Sequence, residues 1–424
     1  MRILTPKVKY SCCIDMHRRA KRSKKMLDVA VARARILEKI SPCGPETVSL
    51  ADATGRILVE PVVARLSNPP VSVSAMDGYA ARTEDAIKGA VLTVTGEAPA
   101  GHPTTQHIAP GTCIRVFTGS QIPAGTSTII LQENVIREGE SISLQTSSDE
   151  QQFIRRQGKD FQKGQTLLSA GKRLTARDIG LAAAAGYTWL SVAQRPRVGI
   201  LSTGDELTLP GDPTQPDSIV NSAAFMVSGL LRTVGAEPVI LPIARDNHTA
   251  LASALAHTTR FDLFITIGGA SVGTYDIVQD ALKAHGLSLD FWKIAMRPGK
   301  PLMSGQIQGT PIIGLPGNPV AAMVCSVIFV APAVHALMGQ PVSADIESEN
   351  AILGADVRQN DHRQDFLRCT LVKKPESDLP VAVPFDSQDS AQLCILSQSD
   401  ALLLRAPGAP LAQAGTPCRI IRLP

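Results

Sequence analysis

The chain has 424 residues, 44% of them apolar, which is length for about three domains with real cores; aromatics make up only 4%, too few for a surface that stacks single-stranded bases. The formal net charge of +4 is not a partner signal, because residues 1–25 hold nine Lys or Arg against one acid, Asp15. The remainder has 33 basic against 37 acidic residues, a net of −4, so the folded body gives no reason to expect a polyanion-binding face.

Three readings of the basic tail are open: a targeting peptide, a basic binding arm, or sequence upstream of the true start. The last is favoured, since Met26 opens an amphipathic helical pattern, Met26-Leu-Asp-Val-Ala-Val-Ala-Arg-Ala-Arg-Ile-Leu37, and the segment before it has no periodicity. No apolar stretch follows the charges, which argues against a secretory signal. Truncation to Met26 is expected to leave folding and activity intact, as measured by thermal melting and turnover. The eight cysteines form no C-x-x-C pair and read as small buried hydrophobes of a reducing compartment. The eight histidines form no H-E-x-x-H and no close pair, so a histidine-based metal site is not expected.

The first 195 residues read as a β module inserted into a helical framework. Helices are predicted over Leu27–Ile40 and Thr175–Ala185, and short β-type runs over Val91–Thr95, Cys113–Phe117, Thr128–Gln132 and Ser141–Gln145, split by Gly, Pro and Asn.

From Arg197 strands and helices alternate. Strands are predicted at Val198–Ser202, Glu237–Ala244, Phe261–Ile267 and Pro311–Leu315, helices at Val220–Val234, His248–Thr259 and Tyr275–His285, and an extended run at Leu287–Ala295. Such alternation specifies a mostly parallel sheet covered by helices, whose ligands sit beyond the carboxyl ends of the strands. Three loops fall there: Ser202-Thr-Gly-Asp-Glu206, Gly268–Asp276 and Gly314-Leu-Pro-Gly-Asn-Pro319. The second joins a β-branched run to a predicted helix through Gly268, Gly269 and Gly273, with one hydroxyl at Ser271 and a carboxylate at Asp276; taken alone it is an ordinary tight connection. Three such loops at one crevice point to a phosphate-bearing ligand. Lys293, Arg297 and Lys300, spaced through a Pro-Gly turn between two of these loops, read as oxyanion ligands rather than a solvated face.

Val320–Met338 is a nineteen-residue run without a formal charge, yet Pro332 interrupts it and Asn318-Pro319 gives it a capped start. It reads as a helix buried against the sheet and kinked near Pro332, not as a membrane span. Gln340–Asn350 reads as a link to a last domain of short strands, Arg368–Val372, Val381–Val383, Ala401–Leu404 and Arg419–Leu423, forming a small barrel.

The β module also carries Asn68-Pro-Pro-Val-Ser-Val-Ser-Ala-Met-Asp77-Gly-Tyr-Ala80. With it come Arg115-Val-Phe-Thr118-Gly, Gln132-Glu133-Asn, Arg155-Arg-Gln-Gly-Lys-Asp160, Ser202-Thr-Gly-Asp-Glu206, Gly268-Gly-Ala-Ser-Val-Gly273, Arg297-Pro-Gly-Lys300 and Gly314-Leu-Pro-Gly-Asn-Pro319. In these ordered blocks, from about residue 26 to the C-terminus, the chain resembles the molybdopterin molybdenumtransferases, the MoeA family that includes the gephyrin E domain. The resemblance implies a multidomain α/β plus β protein. Its parts would be a basic tail (1–25), a helical framework (26–63 and 165–195, with part of 26–44 packing on the α/β domain) and an inserted β module (64–164). An α/β molybdopterin-binding domain with a parallel sheet (196–344) and a C-terminal β-barrel (345–424) would complete it.

The resemblance further implies that the protein inserts molybdate into adenylylated molybdopterin, giving molybdenum cofactor and AMP, with Mg²⁺. It implies a cytoplasmic homodimer whose β module faces the α/β domain of the other chain, with a molybdopterin adenylyltransferase and cofactor-accepting enzymes as further candidate partners, and neither nucleic acid nor membrane. By position, Asp77 and Asp160 match carboxylates that reach the partner's crevice, and Thr118 a polar position near them. Glu206, Asp246 and Asp276 match acidic positions, the first two as metal candidates. Ser271, Gly273, Pro316, Gly317 and Asn318 match loops around pterin and phosphates. Lys293, Arg297, Lys300, Arg368 and Ser390 match positions associated with oxyanion or molybdate. Such chemistry suits these residues: a polyanion needs cations, and a metal polarising an anhydride needs carboxylates. Against these roles, an isolated Asp77-Gly78 is an ordinary turn dipeptide. Arg297 departs from relatives with Lys there, replacing a point charge with a bidentate fork. Two other functions compete: a molybdopterin adenylyltransferase, which leaves the Asp77 block and the barrel unexplained, and a non-catalytic dimeric scaffold of the same fold.

Overall fold

The computed structural model describes residues 26–424 except 214, 270–276, 374 and 376–377, and not the side chains of 277 and 279. The chain packs as two compact units, Pro45–Val192 and a second formed by the residues up to Gly44 with Ala193–Pro424. Helix α1 (Val29–Leu37) belongs to the second; the Asp28 carboxylate accepts the Ala30 N–H at 2.9 Å and so caps it.

The first unit holds a six-stranded sheet of β1 (Gly78–Ala81), β2 (Val91–Ala98), β3 (Thr112–Val116), β4 (Thr128–Leu131), β5 (Val135–Glu138) and β6 (Ser141–Leu144). Its order is β4-β1-β3-β2-β6-β5, antiparallel except for β2 with β3. Successive residues serve opposite faces: Tyr79, Cys113 and Ile130 enter one apolar cluster, Ala80, Ile114 and Ile129 the other. Gly78 is therefore a strand residue and not part of a turn, and a Cβ there would lie 2.0 Å from the Ile130 carbonyl oxygen. Around the sheet, Leu58, Phe161, Leu174 and Leu190 form a further core beside helix α2 (Ala176–Ala184). Residues 45–63 are strand, turn and 3-10 structure, less helical than the framework reading expects.

Helix α2 starts with a capping box: Asp178 receives the Thr175 N–H and hydroxyl, and Thr175 Oγ1 accepts the Asp178 N–H. Burial pushes the Asp178 carboxyl up, but the Lys172 ammonium and Thr175 outweigh it and bring it down to about 2. A depressed acid contributes stability above its unfolded value, and that part is lost as pH falls through about 2. Thr175→Ala is expected to lower the unfolding free energy by about 1 kcal/mol, read by urea denaturation.

The second unit carries the alternation: β7 (Arg197–Ser202), α3 (Ser222–Val234), β8 (Glu237–Ile240), α4 (His248–Leu255), β9 (Leu263–Ile267), α5 (Ile277–Ala284), β10 (Leu287–Phe291), β11 (Met303–Ile307), β12 (Thr310–Leu315) and α6 (Pro319–Leu337). Sheet order is β8-β7-β9-β12-β11-β10. The first four strands are parallel as expected, and β11 and β10 run antiparallel at the edge. Strand β11 is absent from the sequence reading because Met-Ser-Gly-Gln-Ile lacks the β-branched run that marks a strand. It is held by its hairpin to β12 through Gln308 and Gly309, both at positive φ, and a Cβ on its Gly305 would meet the Ser288 oxygen of β10 at 2.6 Å. Three other elements are shorter than expected: β8 stops before Pro242, α4 yields to a 3-10 turn over Thr258–Arg260, and residues 219–220 pair with 207–208 instead of opening α3.

Helix α6 is long and apolar enough to cross a membrane, but 78% of its most apolar window is buried in the protein, against α3 and β12 among others. Its irregularity precedes Pro332 as a π-helical turn over Ser326–Val330. Pro332 has no N–H to offer the Ile328 carbonyl four residues back, and the buried Arg33 of α1 donates to that oxygen at 2.7 Å. The last strands, β13 (Glu349–Leu353), β14 (Gln364–Val372), β15 (Val381–Pro384), β16 (Ala401–Arg405) and β17 (Pro417–Arg422), form a barrel that β14 closes by pairing with both β15 and β16. Of the described cysteines only Cys113, Cys325 and Cys369 are buried; Cys43 and Cys418 are half-buried and Cys394 is exposed, which corrects the reading of all as core residues.

Candidate functional site

At the carboxyl ends of β7, β9 and β12 lies a cavity of about 790 Å³. Parallel β7 and β9 end level, Ser202 opposite Ile267, and β12 ends at Leu315 opposite Ile267, so the three following loops leave the sheet at one edge. Thr203, Gly204 and Glu206 come from the first loop, Gly268 and Gly269 from the second, and Pro316, Gly317 and Asn318 from the third. The predicted convergence of loops is thus present in their described parts. Gly268 has φ +93°, and a Cβ there would lie 2.7 Å from the Thr203 carbonyl oxygen; the loops can approach because that position has none.

Acids gather on one wall. Glu206 and Asp246 line the cavity, and the Asp246 N–H donates to Asp205 Oδ1 at 3.1 Å. Arg245 stitches the first loop, its guanidinium donating to the Asp205 and Leu207 carbonyls. Burial first, then the Asp205 and Glu206 carboxylates, push the Asp246 carboxyl above its usual range. Crowded carboxylates suit a cation. Among the described residues no group of three or more His, Cys, Asp or Glu side chains is placed to hold a metal ion.

Ala391 and Leu393, at the start of the short helix α7 (Leu393–Ser397) in the segment between β15 and β16, line the cavity as well. Asn318 stands before α6 but does not cap it with its side chain; instead its Nδ2 donates to Ser390 Oγ at 2.8 Å. Arg368 is fully buried on β14 and does not reach the cavity; its guanidinium donates to the Ser387 and Gln392 carbonyls and so holds the segment that carries Ser390. Lys293 and Lys300 are exposed, and among the described residues neither ammonium has a carboxylate partner. Arg297 is occupied: it pairs with Asp361 and the buried Asp365 and donates to Asn360 Oδ1, joining the turn before β11 to the barrel. Ser271, Gly273 and Asp276 lie outside the described residues.

In the first unit, residues 73–74 pair with 154–155 and Asn68 bridges Phe161, which lays the Asp77 segment beside the one ending in Asp160. Asp77 Oδ1 accepts the Thr118 N–H at 2.7 Å and its hydroxyl at 2.8 Å, and these bonds hold the exposed carboxyl below its usual range. Asp160 Oδ2 accepts from Asn68 Nδ2 at 3.0 Å.

Two cavity residues, Thr203 and Asn221, and Asp205 beside Asp246 escaped sequence reasoning. Asp205 hides in a motif whose Glu206 drew attention, and Thr203 looks like loop filler. Asn221 had a usable signal, since Asn directly before the Ser-Ala-Ala-Phe run is a helix cap.

Comparison with known proteins agrees with this architecture. Family profiles match residues 27–186 as "MoeA N-terminal region (domain I and II)", 199–336 as "Probable molybdopterin binding domain" and 350–423 as "MoeA C-terminal region (domain IV)". A molybdopterin molybdenumtransferase of Nostoc sp. is 34% identical over 393 residues, 89% of each chain. Molybdopterin molybdenumtransferase 2 of Mycobacterium tuberculosis is 37% identical over 350 residues, 79% of this chain and 85% of that one. The crystal structure of a molybdopterin biosynthesis MoeA protein from Pyrococcus horikoshii superposes with a TM-score of 0.80 at 26% identity, covering 94% of this chain and 100% of the other. Matched across nearly all of its described length, the chain belongs to the MoeA family of molybdopterin molybdenumtransferases, transferases of molybdenum cofactor biosynthesis.

Proposed function

We propose that the protein transfers molybdate to adenylylated molybdopterin, releasing AMP and leaving molybdenum cofactor. The observation that carries this reading is the cavity at the strand ends, with the Glu206 and Asp246 carboxylates on one wall and Gly268, Gly317 and Asn318 beside them. Glycine backbone and Asn318 cradle the pterin and phosphates, as the Ser271 and Gly273 loop does. Glu206 and Asp246 would hold Mg²⁺, with Asp276 as a further acid toward metal or nucleotide. The ion would supply positive charge beside the substrate's phosphates. Lys293 and Lys300 attract molybdate, and Arg297 and Ser390 shape its approach. The Arg368 role is indirect, through the segment bearing Ser390.

The functional protein is a cytoplasmic homodimer in which Asp77, Thr118 and Asp160 of one subunit complete the cavity of the other. Residues 64–164 are the module that does so, between framework segments 26–63 and 165–195, with 196–344 the molybdopterin-binding domain and 345–424 the barrel. Upstream and downstream enzymes, an adenylyltransferase and the acceptors of the cofactor, are transient partners.

Complementation tests this. Asp77→Asn and Asp246→Asn are each expected to be inactive alone; after mixed refolding, about a quarter of the wild-type activity returns, because half the dimers then carry one intact composite site. Failure of the mixture to recover any activity, with heterodimers present, contradicts the shared site. Turnover of ATP with molybdopterin by the wild type would favour an adenylyltransferase, and no turnover of any kind a scaffold.

A further inference from the structure

Arg297 stands in a turn that carries two other cations, yet its guanidinium is taken up by the barrel. The turn closes on itself, the Ile294 N–H donating to the Lys300 carbonyl at 3.1 Å, and Gly299 is pressed so tightly on α6 that a Cβ there would lie 2.5 Å from Cys325 Sγ. Pro301, directly after Lys300, lines the cavity. On its other side the turn joins the barrel: residues 296–297 pair in parallel with 364–365, and the Gln364 N–H donates to the Ala295 carbonyl at 2.9 Å. Over that junction Arg297 Nη2 donates to Asp365 Oδ2 and, at 3.2 Å, to Asn360 Oδ1, while Nη1 donates to Asp361 Oδ2 at 3.4 Å. Asn360 is itself fixed, its Nδ2 donating to the Arg363, Arg405 and Ala406 carbonyls.

Asp365 is 3% exposed, and among the described residues no other cation pairs with it. A buried carboxylate deprived of its cation is strongly disfavoured, so the fold holds this pair closed. An incoming oxyanion would have to take the fork from two carboxylates and would meet their charge. We infer that Arg297 is a positioning residue for oxyanion binding: it fixes the turn between Lys293 and Lys300 to the barrel and does not itself hold the anion. Lys293 and Lys300 are exposed and, among the described residues, have no carboxylate partner, so the turn presents two ammonium groups while its guanidinium is neutralised. The barrel thereby governs the binding of an anion that Asp365 never touches. The inference rests on the proposed function, in which those lysines attract molybdate, and adds how the turn that carries them is held.

Steady-state AMP release by the full chain, at saturating adenylylated molybdopterin and Mg²⁺ and varied molybdate, tests it in Arg297→Met, Asp365→Asn and the double variant. Each single substitution is expected to raise the molybdate KM about fivefold or more with kcat within about twofold of wild type, and the double to be no worse than Arg297→Met, because both break one junction. Arg297→Lys keeps a cation for Asp365 but loses the fork, so its KM should fall between wild type and Arg297→Met, a check that does not depend on how well the Met variant folds. A direct ligand would behave otherwise. Asp365→Asn would then release the guanidinium to the anion, and the molybdate KM would fall. A lower or unchanged molybdate KM in Asp365→Asn therefore overturns the assignment, even where its melting temperature drops. Wild-type AMP release indifferent to molybdate would instead contradict the proposed function, and this assignment with it.

Discussion

Asp246→Asn is expected to lower AMP release by about a hundredfold or more while making the empty protein more stable. The two effects have one cause. Burial and the neighbouring Asp205 and Glu206 charges raise the Asp246 carboxyl above its ordinary value, so its ionised form is disfavoured in the folded chain. A group raised on folding costs nothing below its unfolded value and carries its full penalty above its folded one. At neutral pH the neutral amide removes that penalty, and the melting temperature should rise; the gap between variant and parent should close as pH is lowered through the carboxylate range. Activity has the opposite need, because the proposed cation binds the ionised carboxylate. Thermal melts of the metal-free proteins across pH, with AMP release by each, check this, and a variant that is less stable yet fully active would refute it.

Arg33→Ala is expected to cost about 2–4 kcal/mol of unfolding free energy, measured by urea denaturation. Arg33 is buried beside α6, where its guanidinium gives one hydrogen bond to Ile328 O and another, at 3.1 Å, to Ser343 O in the segment leading to the barrel. It thus serves the carbonyl that Pro332 cannot. Burial lowers the affinity of the guanidinium for its proton, and the Glu347 and Asp345 charges only partly oppose this, so the residue is tolerated for its bonds rather than for its charge. The coupling is testable: Pro332→Ala restores an N–H to the helix, and in the Arg33→Ala background it should recover part of the loss. Strict additivity of the two substitutions would show that the carbonyl is not the link.

Much of this molecule could be read from residue patterns because its signals are local. Val-Gly-Ile-Leu-Ser before Thr203 and Leu-Phe-Ile-Thr-Ile before Gly268 are apolar runs long enough for strands buried on both faces, and both form as parallel neighbours. The loops at their ends follow from the direction of those strands. Strand β11 was not legible, since Gly305 and Ser304 are chosen by the neighbouring β10 backbone and not by strand propensity. The fate of charges was also hidden. Arg297 and Arg368 carry the same oxyanion expectation from the resemblance, yet one pairs with Asp361 and Asp365 and the other is buried and bonded to the carbonyls of Ser387 and Gln392. Only tertiary packing decides which guanidinium faces a ligand.

The central claim is that this cavity couples anhydride cleavage to molybdate. Purified protein incubated with adenylylated molybdopterin and Mg²⁺, with and without molybdate, tests it most directly by the AMP released and the active cofactor formed. The account predicts AMP release that requires molybdate, one AMP for each cofactor, and its near loss in Asp246→Asn. AMP release at the same rate without molybdate, or with no active cofactor produced, would contradict it.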